Sequence, residues 1–234
     1  MAASLSEGDL PPLRPFSLTF VEYERGSLLG FACALLSLTP PLAVAAHCAL
    51  LASRRDLHTA ALLAGVLANV AANGALKAAV RDPRPTSPGL RAPEAGDESG
   101  WPSAHAQFCF FLAAYAAAWA LSGRWRVRHA AWRALLAAAG LALAAAVAAS
   151  RVLLGYHTAS QVVAGAAIGA ALGLGFFGAV ELALRPRFAA VAAWPACVWL
   201  RVRDCSEVDV MQVEYEAVVA AAAEAAAARR AKGR

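Results

Sequence analysis

Residues 152–180 read VLLGYHTASQVVAGAAIGAALGLGFFGAV, 29 residues without a Lys, Arg, Asp or Glu. A helix needs about 20 mostly apolar residues to cross a bilayer, so this stretch is long enough to enter one and cross it. Four further uncharged runs precede it: Gly26–Ser53 (28 residues), Leu57–Leu76 (20), Ser99–Gly123 (25) and Ala134–Ser150 (17). A sixth, Phe188–Leu200, has 13 residues and carries Pro195 near its middle, so it reads as interfacial or re-entrant. The pattern predicts an all-α, polytopic membrane helix bundle of about five spans.

Composition agrees. Of 234 residues, 60% are hydrophobic and 16% charged, against about 25% charged in a soluble globular domain. So apolar a chain is not disordered. Nucleic acid is no expected partner despite the net charge of +5. The 21 Lys and Arg are scattered between apolar runs and form no basic face with interleaved aromatics. Cys33, Cys48, Cys109, Cys197 and Cys205 are odd in number and hold no CxxC pair, which argues against a disulfide frame or a metal site. Glu7 and Asp9 stand where a secretory signal or transit peptide would be basic, so the first span is expected to act as the insertion signal.

Five spans place the N-terminus, residues 77–102 and the 151–157 turn on one side. The 53–57 and 122–133 loops and the C-terminal tail fall on the other. The first side carries seven Lys and Arg, the second fourteen. The positive-inside rule then makes the second side cytosolic.

The less basic side holds the chemistry. Lys77 ends the second span, and Arg84 follows in KAAVRDPRP (77–85). Ser103 and His105 open the third in GWPSAH (100–105). Arg151 closes the fourth, and His157 opens the fifth in SRVLLGYHTASQ (150–161). Taken singly, each has a plainer reading: snorkelling cations at Lys77 and Arg151, a helix cap at Ser103, interfacial imidazoles at His105 and His157. Together, three cations and a helix N-terminus form an anion site suited to phosphate. Two histidines beside a phosphate supply a nucleophile and a proton donor without a metal. No carboxylate cluster or His/Cys set is placed to hold Mg or Zn, and no cofactor is expected.

These segments resemble the three signatures of the type 2 phosphatidic acid phosphatase (PAP2) superfamily: Lys-x6-Arg-Pro, Pro-Ser-x-His and Ser-Arg-x5-His-x3-Asp. The first two are complete in Lys77, Arg84 and Pro85 and in Pro102, Ser103 and His105. The third is met by Ser150, Arg151 and His157, while its final Asp is Gln161. The chain further resembles the dolichyl diphosphatase family in LTFVEY (18–23), LHT (57–59), HTASQ (157–161) and AWP (193–195), a similarity covering roughly residues 16–210.

The resemblance implies a PAP2-like bundle acting on a polyprenyl diphosphate lipid at the lumenal side of the endoplasmic reticulum membrane, in the service of N-glycosylation. His157 would attack phosphorus to form a phosphohistidine, with His105 as acid and then base. Lys77, Arg84, Ser103 and Arg151 would bind phosphate, and Gln161 would orient the nucleophile. The implied organisation is a lumenal segment 1–25, a phosphatase domain 26–184, an interfacial segment 185–210 and an Ala-rich cytosolic tail 211–234. A phosphatidate, sphingoid phosphate or undecaprenyl diphosphate phosphatase, or a silent lipid-phosphate binder, are the alternatives. Gly165, Gly169 and Gly173 repeat every fourth residue, a close-packing stripe for use within the chain or as a homodimer seam.

Overall fold

The computed structural model describes residues 21–24, 26–85, 99–122, 129–206, 208 and 210–232. Most of the 1–25 segment, and Arg91, Arg124, Arg126, Arg128 and Arg234 of the charge count, lie outside them. The helices are α1 (Leu28–Leu36), α2 (Thr39–Arg54), α3 (Leu57–Val80), α4 (Ala104–Leu121), α5 (Ala130–Leu153), α6 (Ala159–Ala179), α7 (Phe188–Ala192), α8 (Pro195–Leu200) and α9 (Val210–Lys232). Among the described residues, five stretches are long and apolar enough to cross a membrane: Leu28–Arg54, Leu57–Val80, Ala104–Leu121, Ala130–Leu153 and Ala159–Ala192. The protein is an all-α, multi-pass membrane protein.

One run differs from its sequence reading. The 26–53 run, expected as one helix, breaks at Ser37 and Leu38. Pro40 and Pro41 sit in the first turn of α2, where a missing N–H interrupts no intrahelical bond, so a new helix starts there. The 188–200 run is two short helices, α7 and α8, with Pro195 opening the second.

α4 is the axis of the bundle. Nine of its residues are buried, whereas α2 buries none. Phe108, Cys109, Phe111 and Ala113 of α4 pack with Val66 of α3 and with Ala144 and Val147 of α5. α6 lies directly against α4, and the glycine stripe sets their separation. A Cβ at Gly165 would fall 2.6 Å from the Ser103 carbonyl oxygen, and one at Gly169 or Gly173 would strike the carbonyl of Gln107 or Phe111. Each glycine therefore meets the α4 backbone one turn further along. The stripe is thus used inside the chain. Leu28, Leu182 and Trp199, each more than four-fifths exposed, suit a lipid-facing surface, where apolar side chains carry no penalty.

The turn between α2 and α3 is pinned to the segment after α8. The Arg203 amide donates to the Arg55 carbonyl (2.9 Å) and the Leu57 amide to the Arg203 carbonyl (3.1 Å). Beside it, His58 Nε2 lies 3.0 Å from the Tyr115 hydroxyl. The residues singled out for chemistry gather at the other end of the bundle.

Candidate active site

Four chain segments build the site. α3 ends at Arg81, in the left-handed conformation (φ 52°), which turns the chain across the bundle end into Asp82, Pro83 and Arg84. The Gly100 amide donates to the Asp82 carbonyl at 2.6 Å, which ties the incoming strand of the 81–103 connection to the outgoing one. Ser103 then opens α4, and its amide donates to the Gln161 carbonyl (3.0 Å). α5 delivers Arg151. The turn 154–158 folds back so that the Tyr156 and His157 amides both donate to the Arg151 carbonyl, at 3.1 and 3.2 Å.

His157 is buried, and its Nδ1 lies 3.0 Å from the Gly100 carbonyl oxygen and 3.3 Å from Gln161 Oε1. Both partners only accept, so Nδ1 carries the proton and Nε2 keeps its lone pair. Burial first, then the charges of Arg84 and Arg151, push the imidazole down to about 3, against the opposing hydrogen bond from Gln161. The side chain thus stands neutral through the physiological range, with a free ring nitrogen among cations.

His105 is held differently. Its Nε2 lies 3.1 Å from the Ser37 carbonyl oxygen, so Nε2–H donates and Nδ1 remains for other work. Lys77, Arg84 and Arg151 all lie near enough to act electrostatically on both imidazoles. Arg151 does not snorkel: it is 3% exposed. It donates to Ser37 Oγ at 2.7 Å, and its guanidinium stacks 4.5 Å from the centre of the Tyr156 ring. A guanidinium so placed keeps its charge beside the two histidines while its planar face is held by the ring.

Ser103 stands at the N-cap of α4, yet its hydroxyl caps no backbone amide. Its Oγ is buried and has no hydrogen-bond partner among the described residues. An orphaned buried hydroxyl costs about 1–3 kcal/mol, so capping does not explain it, whereas a ligand oxygen would satisfy it.

The structure therefore brings Arg84, Ser103, His105, Arg151, His157 and Gln161 to one bundle end, with Lys77 in the last turn of α3 alongside. It adds residues that the motifs do not point to. Ser37 touches both His105 and Arg151, one through its carbonyl and one through its hydroxyl. Its only trace in the sequence is its place just before a proline pair. Tyr156 lies under Arg151, and its hydroxyl accepts from the Glu22 amide at 2.7 Å. Below the site, Asn73 donates to Gln107 Oε1 (2.9 Å), and Gln107 donates to Asn69 Oδ1 (2.9 Å). This buried amide ladder fixes α4 against α3. Polar groups in a membrane interior signal such roles by their cost, but only the fold shows which ones meet. No group of three or more His, Cys, Asp or Glu placed to hold a metal occurs among the described residues.

A bundle of membrane-length helices with buried histidines and cations at one end defines a class, that of integral-membrane phosphatases. Comparison with known proteins narrows it. Residues 58–185 match the model of the PAP2 superfamily. Human "Dolichyldiphosphatase 1" is 35% identical over 208 residues, covering 86% of this chain and 87% of its own. "Lipid phosphate phosphatase gamma" of Arabidopsis thaliana is 34% identical over 221 residues, 89% and 93% of the two chains. "Dolichyldiphosphatase" of Saccharomyces cerevisiae is 31% identical over 169 residues, 71% and 70%. The chain belongs to the PAP2 superfamily, within its dolichyldiphosphatase family, and is a membrane lipid phosphatase. No solved structure matches it.

Proposed function

We propose that the protein hydrolyses dolichyl diphosphate to dolichyl phosphate and phosphate. The observation that carries the mechanism is the fixed tautomer of His157, whose Nδ1–H is spent on Gly100 and Gln161. Nε2 attacks the terminal phosphorus, and the bond from phosphorus to the bridging oxygen breaks. That oxygen leaves with dolichyl phosphate and takes the proton that a cationic His105 carries on Nδ1, Nε2–H staying on the Ser37 carbonyl. A water then attacks the phosphohistidine, giving its proton to His105, and the P–N electrons return to Nε2. Lys77, Arg84 and Arg151 hold the phosphoryl oxygens as charge is redistributed in the transition state, and Ser103 Oγ donates to one of them.

The diphosphate fits the departure at Gln161. A phosphate leaving group, with its second pKa near 6, needs less push from the nucleophile than an alkoxide does. The names of relatives at 31–35% identity favour the same substrate. The bias of seven against fourteen basic residues supports a lumenal site on the endoplasmic reticulum membrane. There the enzyme would return the lipid carrier to phosphate form after glycan transfer, with the prenyl chain entering from the bilayer.

Phosphate release by purified protein in detergent with EDTA, from dolichyl diphosphate, dolichyl monophosphate and phosphatidate, tests the reading, with His157→Ala as the blank. Release from the diphosphate alone, lost in the variant, is the expected result. Equal release from phosphatidate would make dolichol one lipid among several, and no release at all would revive the silent lipid-phosphate binder.

A further inference from the structure

We propose that Asp82 is the carboxylate behind His157, acting at one remove through the Gln161 amide. The proposal rests on His157 being the nucleophile. Gln161 is 1% exposed, and all its amide contacts are resolved. Nε2 donates to Asp82 Oδ2 at 2.7 Å and to the Pro83 carbonyl at 2.9 Å. Oε1 accepts from the Thr158 amide at 3.2 Å and faces His157 Nδ1 at 3.3 Å. The reversed amide would set an oxygen against two acceptors, so the orientation is fixed. The short bond to a carboxylate is charge-assisted, and it polarises the amide toward Oε1. Negative charge is thereby presented to the imidazole that turns cationic when Nε2 bonds phosphorus.

A second route runs from the same residue. The Asp82 carbonyl accepts from the Gly100 amide, and the Gly100 carbonyl holds His157 Nδ1. Gly100 has no room for a side chain, since its Cβ would fall 2.5 Å from Gln161 Nε2. Asp82 thus closes a ring of hydrogen bonds whose two arms meet on His157. An acid beside a phosphate site opposes substrate binding, and this ring gives it a reason to be there. It also explains why position 161 holds a neutral amide. A carboxylate at 161 would face Asp82, and two adjacent carboxylates do not both ionise.

Asp82 is on this view a positioning residue, and charge placement gives the test. Four proteins are compared on dolichyl diphosphate: wild type, Asp82→Asn, Gln161→Asp and the double variant, with Asp82→Glu as the conservative control. Asn at 82 can still accept from Gln161, so only the charge is lost. Removing such an outer partner lowers activity on the order of tenfold to hundredfold, and here the loss is expected in kcat with KM unchanged. Asp82→Glu recovers most of it. Gln161→Asp alone also loses activity, but the double variant exceeds both single variants, because its carboxylate sits directly against His157.

Wild-type kcat in Asp82→Asn, a loss confined to KM, or additive losses in the double variant would each overturn the proposal. If Asp82→Asn does not fold, Gln161→Met cuts the same relay and must show the same kcat loss; wild-type kcat there overturns it too. An inactive wild type overturns the nucleophile reading and this inference together. An active wild type with additive losses overturns the inference alone.

Discussion

The two ends of the bundle use the same side chains to opposite ends. At the α2–α3 turn, polar groups close on one another. Asp56 accepts from the Thr59 amide (3.0 Å) and hydroxyl (2.5 Å), His58 meets Tyr115 and stacks on Trp119, and Arg185 pairs with Glu181 at 2.9 Å. At the other end, His105 and His157 each spend one ring nitrogen on a backbone carbonyl. Cations surround them, and the Ser103 hydroxyl finds no partner among the described residues. A buried histidine alone therefore says little. On the function proposed above, a histidine fixed by one nitrogen, among positive charges and an orphaned donor, marks a place built for an anion.

The largest break in this comparison comes from exchanging the histidines' fates. His157→Ala is expected to abolish phosphate release, by at least ~10³-fold as for the loss of a covalent nucleophile, while the protein still folds and binds the lipid. His58→Ala is expected to lower the melting temperature in detergent and leave kcat within about twofold, because His58 touches no part of the site. Loss of turnover in His58→Ala without loss of stability would remove the distinction between the ends.

The glycine stripe comes next. Gly169→Val places a branched side chain against the Gln107 carbonyl, and overpacking of this kind costs about 1–3 kcal/mol or more. Since α4 carries Ser103 and His105 while α6 carries Gln161, the variant is expected to lose stability and turnover together. Gly74→Val, where a Cβ meets open space, should lose neither. Thermal denaturation in detergent beside the release assay separates the two.

How much of this was legible beforehand follows from the periods involved. Spans show in the sequence because lipid demands about 20 consecutive apolar residues, and charge-free runs give that directly. Lys77, Arg84, Ser103, His105, Arg151 and His157 stood out because ionisable groups at span ends are costly and these lay on one side. Ser37, Gly100 and Asp82 did not. Ser37 sits inside an uncharged run and acts through its carbonyl, which any residue possesses, and through a hydroxyl whose partner Arg151 is 114 positions away. Gly100 acts through its carbonyl and its missing Cβ. Asp82 carries no signal of its own, because its partner Gln161 is 79 positions away. The stripe Gly165, Gly169 and Gly173 was visible as a stripe, but whether it met α4 or another copy was a tertiary fact.

Acid sharpens the contrast further. His157 is pushed down to about 3 by burial and by Arg84 and Arg151, below the unfolded value near 6.5. The unfolded chain therefore binds the extra proton first as pH falls. This residue's contribution to stability is flat above about 6.5, and is lost progressively between there and about 3. His157→Gln is expected to flatten that part of the stability–pH curve. Imidazole ¹⁵N shifts should show His157 neutral, with Nδ1 protonated, at pH 5. A cationic ring at that pH in the lipid-free protein would contradict the site geometry.

The smallest effect belongs to the closed end. Glu181 and Arg185 form a single i,i+4 pair on the turn that follows α6, and neither is near the histidines of the site. Glu181→Gln keeps the size and the acceptor oxygen and removes the charge. Pairs of this spacing contribute about 0.3–0.5 kcal/mol when exposed. Partial burial here raises both the attraction and the desolvation cost, which oppose each other. The expected outcome is a melting temperature lowered by no more than about 2–4 °C, the shift that roughly 1 kcal/mol gives a chain of this size. Release from dolichyl diphosphate should be unchanged in kcat and KM. A tenfold fall in kcat would mean that the α6 register, set at this end, reaches Gln161 and His157 at the other, and that the two ends work as one device.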